Sequence, residues 1–150
     1  LVGKVNADFT VLLGSQAPHY KEVRSWCAKH CNIKHHDFIS DMAYLMNIHD
    51  IAIGAPGTTS WERACLGLPS IIIPLADNQH ENCRQLVESK AAIAVALSDI
   101  EKHLLNVYLE LVSDWEAYHR ANFALCDGKG ALRVVEEITR FINESNNYMQ

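Results

Sequence analysis

Asp50-Ile-Ala-Ile-Gly54-Ala-Pro-Gly57-Thr-Thr-Ser60-Trp-Glu62-Arg-Ala-Cys65-Leu-Gly67-Leu-Pro69-Ser-Ile-Ile-Ile73-Pro74 is the stretch that decides the fold. Asp50 to Ile53 is a short β-branched run stopped by Gly54 and Gly57, a strand pattern. Thr58 to Leu66 follows with hydroxyls at its start, and Gly67 and Pro69 close it in the order expected of a helix end. Ser70 to Pro74 is apolar on both faces, so it belongs inside a sheet covered on both sides. Strand, helix and two-faced strand in succession describe a parallel β-α-β unit.

The same alternation extends in both directions. Upstream, Phe9 to Leu13 reads as a strand ending at Gly14-Ser15, and His19 to Cys31 carries Val23, Trp26, Cys27 and Cys31 at helical spacing. Ile33 to Ile39 is a further strand, and Ser40 to Met46 a short helix with Ser40 as N-cap. Downstream, Asn78 to Ser89 reads as helix, Ala91 to Ala96 as strand and Ser98 to Leu111 as helix. The remainder is helical through Ile142, interrupted at Asp127-Gly128. The expected fold class is α/β, a doubly wound parallel sheet of about five or six strands. Residues 1–8 read as a linker or edge segment, 9–142 as one domain and 143–150 as a polar tail.

Composition removes several function classes. The chain has 150 residues, with 13 Lys and Arg against 18 Asp and Glu, a net charge of −5. An acidic chain without a basic cluster lacks the electrostatic footprint of a nucleic-acid binder. The longest apolar run, Leu68 to Ala76, is about half of the roughly 20 residues a membrane span needs, and it contains Pro69 and Pro74. Neither a nucleic-acid partner nor a membrane span is expected. The 5 cysteines, an odd number, read as reduced thiols of a cytoplasmic protein. Cys27 to His36 is the one candidate metal cluster, but its adjacent histidines suit zinc poorly, and two buried thiols at a helix end are expected instead. No metal and no cofactor are expected. The chain opens Leu1-Val2-Gly3 without an initiator methionine or signal peptide, and the expectation is one domain of a longer protein.

In such sheets ligands bind beyond the carboxyl ends of the strands. Three turns there carry suitable chemistry: Gly14-Ser15-Gln16, Gly54 to Ser60, and Ala76-Asp77-Asn78-Gln79. None is a Walker loop or a dinucleotide fingerprint. Glu62 has two readings. It stands three residues after Thr59, as a capping-box glutamate would. It could equally accept hydrogen bonds from the vicinal hydroxyls of a ribose while the preceding loop meets phosphate.

Phe38-Ile39-Ser40-Asp41-Met42-Ala43, Asp50 to Gly54, Gly57 to Arg63, Gly67-Leu68-Pro69 and Asn78-Gln79 form an ordered series. The series resembles the C-terminal half of the UDP-sugar hydrolase of pseudaminic acid biosynthesis and its spore-coat polysaccharide relatives. More distantly it is similar to the UDP-GlcNAc transferase of peptidoglycan lipid II synthesis, a two-domain enzyme of the GT-B type. Trp61-Glu62-Arg63, Leu66 to Pro69 and Asp127 to Ala131 favour the hydrolase group.

The resemblance implies a Rossmann-like UDP-sugar-binding domain over 9–142. In it, the backbone at Phe38 and Ile39 would read uracil and Glu62 would hold the ribose. Gly14, Ser15, Gly57, Thr58 and Thr59 would cradle the diphosphate, and Asn78 and Gln79 would face its junction with the sugar. The implied reaction is attack of water at the anomeric carbon, releasing UDP and a free diacetamido-trideoxy sugar. Its general base would be a histidine of an N-terminal half that no segment here represents, so the implied partners are a UDP-sugar and that half. A glycosyltransferase half and a non-catalytic binding module are the alternatives. One departure is Pro56, which stands where the family pattern has glycine and removes an N–H that could have touched phosphate.

The remaining candidates have plainer roles. His80 reads as an exposed helix residue; Arg63 and Arg84 could neutralise a diphosphate, but the expected role of each is solvation or an ion pair with a neighbouring Glu. Trp26 and Trp61 read as packing residues. The helix from Ile100, with Leu104, Val107, Leu111, Trp115 and Tyr118, reads as cover for the core.

Overall fold

Ser70–Ile72 has no polar face to offer water, and the chain meets that demand by covering it twice. In the computed structural model, which describes residues 1–147, this strand is β4. It lies in the middle of a parallel sheet between β3 (Ala52–Gly54) and β5 (Ala92–Ala94). Successive side chains point to opposite faces. Ile71 therefore packs with Val95 and Leu111, flanked by Leu104, Val107, Trp115 and Tyr118. Ile72 packs on the other side with Leu86, Ala91 and Ala92. Both isoleucines are fully buried, and each contributes about 1.5–3 kcal/mol of transfer free energy.

The covering helices follow from the amphipathic runs. Face one is closed by α5 (Ile100–Ser113) and α6 (Trp115–Leu125), as expected of the helix from Ile100. Face two is closed by α4 (His80–Glu88), which enters from a 3-10 turn at Asp77–Gln79. Asn122 of α6 is buried, yet its carboxamide donates to the carbonyls of Ala91 and Tyr118 at 2.7 and 2.8 Å. It anchors α6 to the start of β5.

The N-terminal third forms a second parallel pair, β1 (Phe9–Leu12) beside β2 (Ile33–His36), with α1 (Tyr20–Cys27) between them in sequence. Then come α2 (Met42–Asn47) and, after β3, α3 (Thr59–Cys65). The described residues thus form five strands, within the expected number, in parallel hydrogen-bonded groups of two and three. Among the described residues no backbone hydrogen bond joins β1 to β3. A side chain ties β1 to the turn that leads into β3: His49 bonds the carbonyl of Leu45 through Nδ1 and Thr10 Oγ1 through Nε2, at 2.7 and 2.8 Å.

The stop of α3 is the predicted one. Gly67 sits at φ +66°, where a side chain is strained. A Cβ there would also collide with the Phe123 ring, because α6 packs directly over this turn. Beside it, the Cys65 and Cys126 sulfurs lie 2.8 Å apart as free thiols.

Local boundaries differ from expectation where two residues compete. Asp41, not Ser40, caps α2, accepting from the Tyr44 amide at 2.8 Å. Both side chains can cap, and the carboxylate adds charge at the helix start. Helix α1 ends at Cys27, so Cys31 lies beyond it and is exposed, and the expected pair of buried thiols is one. Strand β2 stops at His36, level with the end of its partner. Finally α7 (Gly130–Asn147) runs past Ile142 into the expected tail. Nothing there breaks a helix: Arg140 reaches Glu144 and the Ser145 hydroxyl donates to the Phe141 carbonyl. The last three tail residues lie outside the described residues.

Candidate functional site

The gap between β1 and β3 opens into a cavity of about 450 Å³. Thr10 and Leu12 form one wall, Met42 and Leu45 of α2 another, and the loop from Gly54 to Thr59 a third, with Arg63 behind it. The position where adjacent parallel strands lead their connections to opposite sides is the usual ligand crevice of a doubly wound sheet. The cavity is of the size that takes a small-molecule ligand.

Its loop is held from two sides. Pro56 is buried, and its carbonyl accepts a hydrogen bond from the Asn82 carboxamide of α4 at 3.3 Å. Arg63 grips the loop from within the domain. Its Nη2 donates to the Ala55 carbonyl and to Ser60 Oγ, both at 3.0 Å, and its Nε donates to the Thr59 carbonyl at 3.3 Å. The expectation of a solvated or Glu-paired Arg63 is therefore corrected. It is only 5% exposed and makes no ion pair among the described residues. Its i to i−4 position on a short helix turns it toward the loop, whereas Glu62, one residue earlier, faces water. Burial pulls the Arg63 guanidinium below its ordinary pKa. Arg84 does behave as expected, paired with Glu81 and Glu88 at 2.7 Å on the exposed face of α4.

Of the residues the sequence nominates, Gly57, Thr58 and Thr59 line this cavity together. Gly14, Ser15, Phe38, Ile39, Glu62, Asn78 and Gln79 are not in its lining. Gly14 lies at the end of β1, where a Cβ would stand 3.8 Å from the Asp37 carbonyl, so the Gly14-Ser15 and Phe38-Ile39 turns adjoin each other. Phe38 is 79% exposed. Glu62 is exposed and makes no hydrogen bond among the described residues, and no side chain caps α3. The capping-box reading is thus not realised: Thr58, in helical conformation, occupies the cap position, and the box needs an extended one there. Asn78 is exposed in the 3-10 turn, and Gln79 Oε1 accepts from the Leu75 amide at 2.9 Å. His80 is exposed, 3.6 Å from Asp77.

Sequence reasoning did not single out Asn82, Thr10 or His49. The spacing from Asn78 to Asn82, one helical turn, is the only signal that could have found the first. Among the described residues no group of three or more His, Cys, Asp or Glu side chains is placed to hold a metal ion. No helix among them is long and apolar enough to cross a membrane.

Comparison with known proteins gives this geometry its relatives. The family model described as the glycosyltransferase family 28 C-terminal domain matches residues 3–138. The chain is 28% identical over 128 residues to the spore coat polysaccharide biosynthesis protein SpsG of Bacillus subtilis (strain 168), covering 82% of this chain and 38% of that protein. It is 30% identical over 121 residues to the UDP-N-acetylglucosamine--N-acetylmuramyl-(pentapeptide) pyrophosphoryl-undecaprenol N-acetylglucosamine transferase of Listeria monocytogenes serotype 4b, covering 75% and 33%.

Among solved structures, Acinetobacter baumannii MurG superposes with a TM-score of 0.70 at 19% identity, over 93% of this chain and 43% of MurG. The glycosyltransferase VinC, solved with dTDP, superposes at 0.67 and 15% identity, over 90% and 41%. At such identities the likeness is one of fold, that of GT-B C-terminal domains. The chain spans about a third of the length of these curated relatives, 38% and 33%. They support the spore-coat and lipid II transferase side of the resemblance, and not the pseudaminic acid hydrolase. The chain belongs to the glycosyltransferase family 28 C-terminal domain family.

Proposed function

We propose that this domain is the nucleotide-sugar-binding half of a GT-B glycosyltransferase, with a UDP-sugar as its ligand and an N-terminal domain as its partner in catalysis. The observation that carries this reading is the family match over 3–138 on a domain whose β1/β3 gap opens beside Gly57, Thr58 and Thr59. The relatives named as N-acetylglucosamine transferases favour transfer over the hydrolysis expected from sequence. The chemistry of the turns is consistent with it. The two threonine hydroxyls and the Gly57 amide suit phosphate oxygens, and the exposed, unbonded Glu62 carboxylate suits two ribose hydroxyls. The Gly14-Ser15 and Phe38-Ile39 turns adjoin at the neighbouring strand ends, as diphosphate and base contacts would require. The acceptor and the catalytic base belong to the partner domain in this reading.

Titration with UDP, read on backbone amides, tests it. Shifts are expected at Gly14, Gly57 to Glu62 and Asn78, and unperturbed spectra at millimolar UDP would leave a binding-inactive module. Glu62→Gln is expected to weaken UDP about tenfold while sparing the fold, since it replaces a charged acceptor by a neutral one. Unchanged affinity would remove the ribose role. With the full-length protein, product analysis separates transfer to an acceptor from transfer to water.

A further inference from the structure

We propose that Arg63 gives this site its preference for a nucleoside diphosphate over the bare nucleoside, its guanidinium meeting the diphosphate from behind the Gly54–Ser60 loop. The proposal rests on the nucleotide-binding reading above and assigns within it a residue that reading does not require. Four observations converge on it. A cation buried to this degree is normally paired with an anion. Arg63 is bonded to only three neutral acceptors, the Ala55 and Thr59 carbonyls and the Ser60 hydroxyl; no carboxylate bonds it among the described residues, and the exposed Glu62 acts on it only from a distance.

Second, these bonds use Nε and Nη2 and leave the Nη1 N–H groups without a partner among the described residues. The one side-chain nitrogen or oxygen there that is both fully buried and unbonded is His35 Nε2. Nη1 therefore keeps access to open space, and the space that Arg63 lines is the cavity. Third, Gly54 leaves that edge uncovered: a Cβ on it would stand 3.7 Å from Nη1. Fourth, Pro56 has taken one backbone donor out of this loop, and the free edge of Arg63, which lines the same cavity as the loop, supplies two. Charge-assisted hydrogen bonds of a guanidinium to phosphate oxygens are the strong kind, and they discriminate against a ligand that lacks the phosphates.

Two variants separate charge from loop shape, with binding of UDP and of uridine each measured by calorimetry on the whole chain and folding checked by cooperative melting. Arg63→Gln keeps amide donors for Ala55 and Ser60 but drops the charge, and it is expected to lower the UDP-to-uridine affinity ratio about tenfold or more. Arg63→Lys keeps the charge but cannot hold the loop and reach the phosphates at once, and it is expected to lower the ratio about threefold, less than Arg63→Gln does. Uridine affinity is expected to change little in either. A folded Arg63→Gln chain with an unchanged ratio overturns the proposal, as does an equal loss of UDP and uridine binding in both variants, which is a shape role alone. Should the Gln variant not fold, the folded Lys variant decides: a lowered UDP-to-uridine ratio upholds the proposal, and an unchanged ratio overturns it. A parent chain that binds no UDP refutes the nucleotide reading itself, a separate outcome from any of these.

Discussion

The β3–β4–β5 sheet carries its core on both faces, while the β1–β2 pair carries almost none of its own. In the first, Ile71 and Ile72 are completely buried beneath helices from opposite sides. In the second, Ile33 is the one buried strand residue, Leu12 is exposed, and a histidine–threonine bond to the turn before β3 stands in place of a ladder. The difference teaches where rigidity and where a ligand belong in this domain. A sheet sealed by its own helices can hold a loop in fixed position. A sheet half-open at its inner edge leaves room between the two for something to bind, and local opening is cheapest where little apolar surface is buried.

That contrast can be broken in graded steps. The largest effect is expected from Ile71→Ala, which empties a site packed on all sides and costs about 3 kcal/mol in denaturant unfolding. The matching change in the other sheet, Val11→Ala at a half-buried site, is expected to cost about 1 kcal/mol or less. Equal losses would mean that the two sheets share one core. A smaller effect, about 1 kcal/mol, is expected from Thr10→Val, which removes the hydroxyl partner of His49 Nε2. Its clearer signature is hydrogen exchange: β1 amides should accelerate relative to those of β4, and uniform acceleration would deny the strands separate stabilities.

The smallest effect lies outside both sheets, at the turn into α7. Asp127 bonds Arg133 at 2.7 Å and the Lys129 amide at 3.0 Å, and these partners hold its carboxyl down at about 2. Because the folded value lies below the ordinary one, its contribution is present above pH ~4 and lost as pH falls toward ~2. Thermal melts across that window should fall more for the parent than for Asp127→Asn. Parallel curves would show the turn to be indifferent to that charge.

How much of this was legible in the sequence depended on how local the signal was. The two-faced run at Ser70 to Pro74 and the Gly67–Pro69 stop declared the rigid sheet, because burial on both faces and a left-handed turn each demand particular residue types. The open side was harder. Nothing in Phe9 to Leu13 says that its inner edge will lie unpaired, since pairing partners are chosen by residues forty positions away. The candidate site followed the same rule. Gly57 to Thr59 stood out as small and hydroxylated residues after a strand. Arg63 was misjudged, because sequence shows a charge beside Glu62 but not the inward turn of the helix that buries one and exposes the other. Asn82 gave no local signal beyond its position on a helix.

Asn82 has one more consequence. Proline carries no amide proton, so Pro56 is silent in any experiment that follows backbone N–H groups. The Asn82 carboxamide, hydrogen-bonded to the Pro56 carbonyl at 3.3 Å, does carry them. Its side-chain resonances thus act as a spectroscopic proxy for the one loop position that is otherwise dark, reporting from α4 on any shift of the loop beside the cavity.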